Sequence, residues 1–184
     1  MNQTPRPAGE QSQKSSTAPD PAQIELALRA LLDSQRFAVL ATHSGGQPYV
    51  SLMAFAATSD LRELIFATER DTRKYANLCS DARTAVLVDS RSNRSSDIQD
   101  AVAVTVIGRA EEAEGDDRDH LLRIYVAKHP NLERFATSPS CALVRVKVAS
   151  YRVVSQFQEV QEVRIRQGER EAGNRQHEDS NQVP

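Results

Sequence analysis

Cysteine is scarce in this chain: Cys79 and Cys141 are the only two, they stand far apart, and neither belongs to a Cys-x-x-Cys pair. Neither a zinc site nor a disulfide framework is written here, and both thiols read as small buried or half-buried residues. The four histidines, His43, His120, His129 and His177, also lack metal-ligand spacing. They fall on a turn, a helix, a helix end and a tail, where histidine is ordinarily structural or solvated. No stretch of about eighteen apolar residues is present to span a bilayer, and neither end carries the basic start and apolar run of a secretory signal. A soluble cytoplasmic protein with no membrane partner is the expectation. An excess of positive charge is missing too. With a net charge of −2 and an isoelectric point near 6.1, the chain lacks the basic footprint of a nucleic-acid-binding domain, so nucleic acid is not expected as a partner. Ser34 and Ser51 have no Gly-x-Ser-x-Gly setting, and Asp116-Asp117 opens a helix where carboxylates serve the dipole, so hydrolase readings rank low.

What is present is one domain between polar ends. Residues 1–20 hold only Met1, Ala8 and Ala18 as apolar non-proline residues and read as a disordered N-terminal tail. Residues 167–184 are similarly polar and read as a disordered C-terminal tail. Residues 21–166 suffice for a single core. Asp20-Pro21 opens an amphipathic helix over 21–34, with Ile24, Ala27, Leu28, Leu31 and Leu32 on one face. Residues 36–43 and 48–57, joined by Ser44-Gly45-Gly46-Gln47, form a hairpin. Leu64–Thr68, Arg83–Asp89, Ala101–Glu112, Cys141–Ala149 and Arg152–Val160 read as further strands, with Tyr151 near a bend. Helices are expected over 71–80 and 116–128, and Pro130 ends the second or begins a short helical turn through Phe135. The continuous apolar run AVAVTVIG suggests a closed or doubly covered sheet with no wet face. The fold class is therefore mainly β with flanking helices, arranged as a small barrel.

Chemistry concentrates in FATERDTRKYANLCSDARTAVLVD, residues 66–89. Phe66 to Thr68 end an apolar strand, Asp71 or Thr72 can cap the helix that follows, and Arg73 and Lys74 fall in its first turn. Unpaired backbone N–H groups there already favour an anion. Two adjacent cations at a helix N-terminus oppose the macrodipole, which costs a few tenths of a kcal/mol unless an anion lies between them. The combination reads as a phosphate-binding junction.

Residues 36–112 resemble the pyridoxamine 5'-phosphate oxidase-like family of FMN-binding split barrels. RFAVLATHSGGQPYVSLMAFA is similar to that family's first hairpin, FATERDTRKYANL to its phosphate-binding strand and helix, and AVAVTVIGRAE to a following barrel strand. The resemblance implies a homodimer with FMN in a groove at the subunit interface. Thr68, Thr72, Arg73 and Lys74, with Ala67 beside them, would hold the phosphate. Tyr49, Val50, Ser51, Leu52 and Met53 would run beside the isoalloxazine. It further implies an oxidoreductase that passes two electrons through the flavin to or from a small-molecule substrate. No metal is implied.

The chain also departs from the family. True oxidases close their pocket with a C-terminal tryptophan and an Arg-Leu-His-containing motif, whereas this chain has no tryptophan and ends the domain with YRVVSQFQEVQEVRI. Ala103 stands where an oxidase would present a polar amide. Oxidation of pyridoxamine 5'-phosphate is therefore not expected. SRSNRSSDIQD, residues 90–100, is a polar insert; if it folds over the groove, Arg91, Asn93 and Asp97 would meet an anionic or carbonyl substrate. The alternatives are a noncatalytic flavin or haem binder, for which His43, beside the first hairpin, is the one ordered-strand candidate, and a reductase using deazaflavin in place of FMN.

Overall fold

A computed structural model describes residues 21–155 and 159–165; the expected tails, 1–20 and 167–184, lie outside the described residues. Gly45 and Gly46 adopt φ of +56° and +82°, the left-handed geometry that a tight hairpin turn needs and that a Cβ would resist. They join β1 (Phe37–Ser44) to β2 (Gln47–Ala54), paired from Ser44↔Gln47 to Phe37↔Ala54. The expected strand over 48–57 breaks at Phe55, a buried ring at 2 % exposure, after which Ala56–Ala57 forms the short β3.

The remaining strands are β4 (Glu63–Glu69), β5 (Arg83–Asp89), β6 (Ala103–Glu112), β7 (Cys141–Ser155) and β8 (Glu159–Arg164). All pair antiparallel, in the order β2-β1-β5-β6-β7-β4-β3, with β8 added to β7. The sheet curls into a half-barrel, and β2 comes round to approach β4. The split-barrel fold is borne out.

β7 corrects the sequence reading. Instead of two strands meeting at a bend near Tyr151, one strand runs 15 residues, about 50 Å at the usual rise. The irregularity is a bulge: Ile107 pairs with Ser150 but Gly108 pairs with Val148, leaving Ala149 as the extra residue. Gly108 is needed there, because a Cβ would collide with the Lys147 carbonyl oxygen and come within 2.7 Å of Val146 Cγ1.

Helix α1 (Pro21–Ser34) lays Leu28, Leu31 and Leu32 on the core. Helix α2 (Arg73–Ser80) follows β4, and α3 (Asp97–Asp100) is one turn inside the polar insert. Helix α4 (Gly115–Lys128) buries Leu121 and Tyr125, and a 3-10 turn (Pro130–Leu132) leads into α5 (Glu133–Ala136). The main core joins Leu28 and Leu32 of α1 with Leu40, Phe55, Val104, Val106 and Tyr151. A second core, under α4, joins Ile65, Leu121, Tyr125 and Leu143.

The expectation of a sheet without a wet face also needs correcting. Successive residues along a strand alternate between the core and the outer face, and paired residues share a face. The outer row Val50/Leu52, Ala41/Val39, Ala85/Leu87 and Ile107/Thr105 crosses four strands and is half-buried to exposed. Val50 is 62 % and Leu52 69 % exposed.

Candidate functional site

Strand β4 is buried from Leu64 to Thr68, and its end aims Thr68 at the start of α2. The Thr68 side chain is 2 % exposed, and its Oγ1 lies 3.1 Å from Thr72 Oγ1. Thr72 is the N-cap residue, with extended backbone angles. Its hydroxyl donates to the Glu69 carbonyl at 2.8 Å and makes no cap bond to the helix. The first-turn N–H groups are thus left without a side-chain cap. No acidic residue occupies the first turn of α2, and among the described residues the Lys74 side chain makes no hydrogen bond or ion pair. The Arg73 guanidinium lies over the Tyr49 ring, 5.1 Å from its centroid. Two hydroxyls, two cations and a set of open N–H groups therefore share one corner, a donor set suited to a phosphate.

The basic residue just before this corner does different work. Arg70 pairs with Glu112 and donates from Nη1 to the Pro139 carbonyl at 2.7 Å. Tyr75 donates to Glu112 Oε2 at 2.5 Å. Burial opposes the Glu112 charge, but the bonds from Tyr75 and Arg70 hold its carboxyl below the ordinary range. The same bond, with burial adding to it, pushes the Tyr75 phenol up to about 12. Arg70 and Tyr75 thereby pin both sides of the Asp71–Thr72 link to the end of β6. Sequence reasoning missed this cluster, whose partners are 37 and 42 residues apart.

The strand expected beside the ring is divided by its pleat. Tyr49, Ser51 and Met53 face inward opposite Thr42, Leu40 and Ala38, while Val50 and Leu52 face out. Ala67 is buried beside Thr68. The corner and Tyr49 are thus brought together through Arg73. The insert residues are not joined to them: among the described residues no hydrogen bond or ion pair links the insert to the corner. Arg91 pairs with Asp89 at 3.1 Å, Asn93 adopts φ +59°, and Asp97 Oδ2 accepts the N–H groups of Ser92 and Arg94 at 2.8 and 3.0 Å. Those bonds, with Arg94's the largest cause, hold the Asp97 carboxyl low.

A groove of about 810 Å³ lies elsewhere, between α1, the turn before β4 and α4, with Arg29, Asp60, Glu63, His120 and Arg145 among its lining. Glu63 stands at the opposite end of β4 from Thr68, about 17 Å away along the strand. That groove carries charges of both signs, largely paired within the chain, whereas the first turn of α2 at the corner holds two cations and no carboxylate. The corner is the stronger candidate on chemistry.

Fold and topology define the class: a split β-barrel with flanking helices. The family model for pyridoxamine 5'-phosphate oxidase matches residues 24–155, and the chain belongs to that family. No curated protein matches the sequence. Among solved structures, a haem-binding protein from Mycobacterium smegmatis superposes with a TM-score of 0.66 at 18 % identity, covering 74 % of this chain and 55 % of that one. The chain thus spans about half of that relative. A putative pyridoxamine 5'-phosphate oxidase from Listeria innocua gives 0.57 at 17 % identity, covering 72 % and 99 %. An FAD-binding protein from Mesorhizobium loti gives 0.55 at 22 %, covering 70 % and 90 %. At these identities the likeness is one of fold.

Proposed function

We propose that the protein is an FMN-binding flavoprotein, a homodimer, that carries out oxidoreductase chemistry on a small molecule. The observation that supports this reading best is the corner itself: Thr68 and Thr72 hydroxyls 3.1 Å apart beneath a helix start that bears Arg73 and Lys74 and no carboxylate. Membership of the oxidase family agrees with it. Thr68, Thr72, Arg73 and Lys74 hold the phosphate, and Tyr49, Ser51 and the β2 backbone line the ring. Bound FMN supplies the redox chemistry. The chain's own residues bind and orient, and the buried end of β4 keeps water from the hydroxyl pair.

Haem ranks lower because the histidines of the described residues are otherwise engaged or exposed. His43 Nε2 pairs with Asp81 at 3.1 Å, the buried His129 Nε2 meets the Phe55 carbonyl at 2.8 Å, and His120 lies exposed on α4. Deazaflavin shares the phosphate chemistry and is separated from FMN by the absorption spectrum of the purified protein. The direct test is titration with FMN and riboflavin. Each charge-assisted bond to the phosphate contributes roughly 1.5 to 3 kcal/mol, so riboflavin should bind at least tenfold more weakly, and the double variant Arg73→Ala/Lys74→Ala should abolish the difference while remaining folded. Equal affinities in the unaltered protein would overturn the assignment.

A further inference from the structure

Helix α2 touches the first hairpin twice, one turn apart on the same face. Arg73 lies over the Tyr49 ring, and four residues on, Asn77 Nδ2 donates to Thr42 Oγ1 at 3.0 Å. The Thr42 hydroxyl in turn donates to the Tyr49 carbonyl at 3.4 Å. Thr42 and Tyr49 are direct cross-strand partners, so both contacts converge on one pair of residues. Asn77 and Thr42 are each 4 % exposed. An apolar residue at 77 would fill the space equally well, as the neighbouring Leu78 does, but only a hydrogen bond fixes direction and distance, and a buried amide left without its partner is costly.

We propose that Asn77, acting through the Thr42 hydroxyl, is a positioning residue that sets the span between the phosphate-holding start of α2 and the ring-facing strand β2. This rests on the FMN reading above. The ligand's phosphate and ring are joined by a chain of fixed length. A helix that slides or tilts against β2 cannot engage both ends, and the loss falls on the phosphate because the helix start is the part displaced.

The test uses the full chain and three variants: Asn77→Ala, Thr42→Val, which keeps shape but removes the hydroxyl, and Thr42→Ser, which keeps the hydroxyl. Each is titrated with FMN and with riboflavin, and folding is checked by circular dichroism. Asn77→Ala and Thr42→Val should each reduce the preference for FMN over riboflavin by about tenfold, with riboflavin affinity little changed, and Thr42→Ser should retain the preference. Folded Asn77→Ala and Thr42→Val proteins that keep the full preference, or that lose both ligands equally, would overturn the proposal while leaving the FMN reading intact. Unfolding of Asn77→Ala alone leaves the decision to Thr42→Val. Unfolding of both counts against the proposal, since the bond would then serve the fold alone. An unaltered protein with no preference would overturn the FMN reading and this proposal together.

Discussion

A single lysine shows how position changes the chemistry of a charge. Lys128 Nζ donates to the Leu32 carbonyl at 2.6 Å and lies 4.1 Å from the Phe55 ring centroid, so it ties the ends of α4 and α1 together. Burial brings its pKa down from 10.5 to about 8, with Asp33 opposing and Arg36 adding to the fall. Between those two values the unfolded chain binds more protons at this site than the folded one, so folding stability contributed by Lys128 rises with pH across the window and is flat below it. Denaturant titrations of the protein and of Lys128→Met should show this as a stability difference that shifts toward the unaltered protein between about pH 8 and pH 10.5, the span these two pKa values define. A difference that stays level would show the ammonium to be unperturbed. Among residues of the candidate corner, Thr68, Thr72, Arg73 and Lys74 are legible because they fall within one short stretch of chain and their types alone describe an anion cradle. Asn77, Thr42 and Glu112 are not. Their meaning depends on partners brought together over 35 or more residues of chain, and no local pattern marks them.

Among the elements, the outer face of β2-β1-β5-β6 carries the strongest expectation. Exposed Val50, Leu52 and Phe37 at 62, 69 and 58 % make an apolar surface of the kind that marks an interface between chains. A second copy applied across it in the proposed homodimer would make a self-complementary pair. Sedimentation at several micromolar concentrations should give a dimer, and Leu52→Glu, which places a charge in that face without disturbing the core side of β2, should give a folded monomer. A monomeric unaltered protein would refute the pairing. The hairpin β1-β2 was legible because Gly45-Gly46 dictates its turn. The path of β7 was not: a bulge shifts the register but lets the strand continue, and only the pairing with β6 tells it from a bend. The one-turn α3 also escaped notice, since four residues carry no periodicity and its shape comes from Asp97 gripping the backbone of Ser92 and Arg94.

For the molecule as a whole, belonging to the oxidase family does not carry the oxidase reaction with it. The segment that should close a vitamin-phosphate pocket is here the hairpin β7-β8. Tyr151 is fully buried with its hydroxyl donated to the Leu61 carbonyl at 2.7 Å, and Arg152 is paired in register with Glu162. Neither is placed as a phosphate clamp, and carboxylates in this region disfavour a phosphorylated substrate. Losing such positioning costs on the order of a hundredfold in rate. The FMN-loaded protein should therefore form no appreciable pyridoxal 5'-phosphate from pyridoxamine 5'-phosphate under air, and saturable turnover near about 1 per second would show that another part of the chain supplies the clamp.

The long strand β7 has a consequence for how the chain reaches its native state. In the order of the sheet it stands between β6 on one side and β4 on the other, yet it is made after both. Until residues 141–155 are available, β2-β1-β5-β6 and β3-β4 are separate fragments, each ending in an open edge along its whole length. The pairing of β4 with β7 joins segments as distant as Glu63 and Lys147. Such non-local closure places folding in the slow, millisecond-to-second regime of high contact order. A nascent chain cut short at Ser140 would expose two unpaired edges to its neighbours, so the vulnerable moment in this protein's life is its own synthesis.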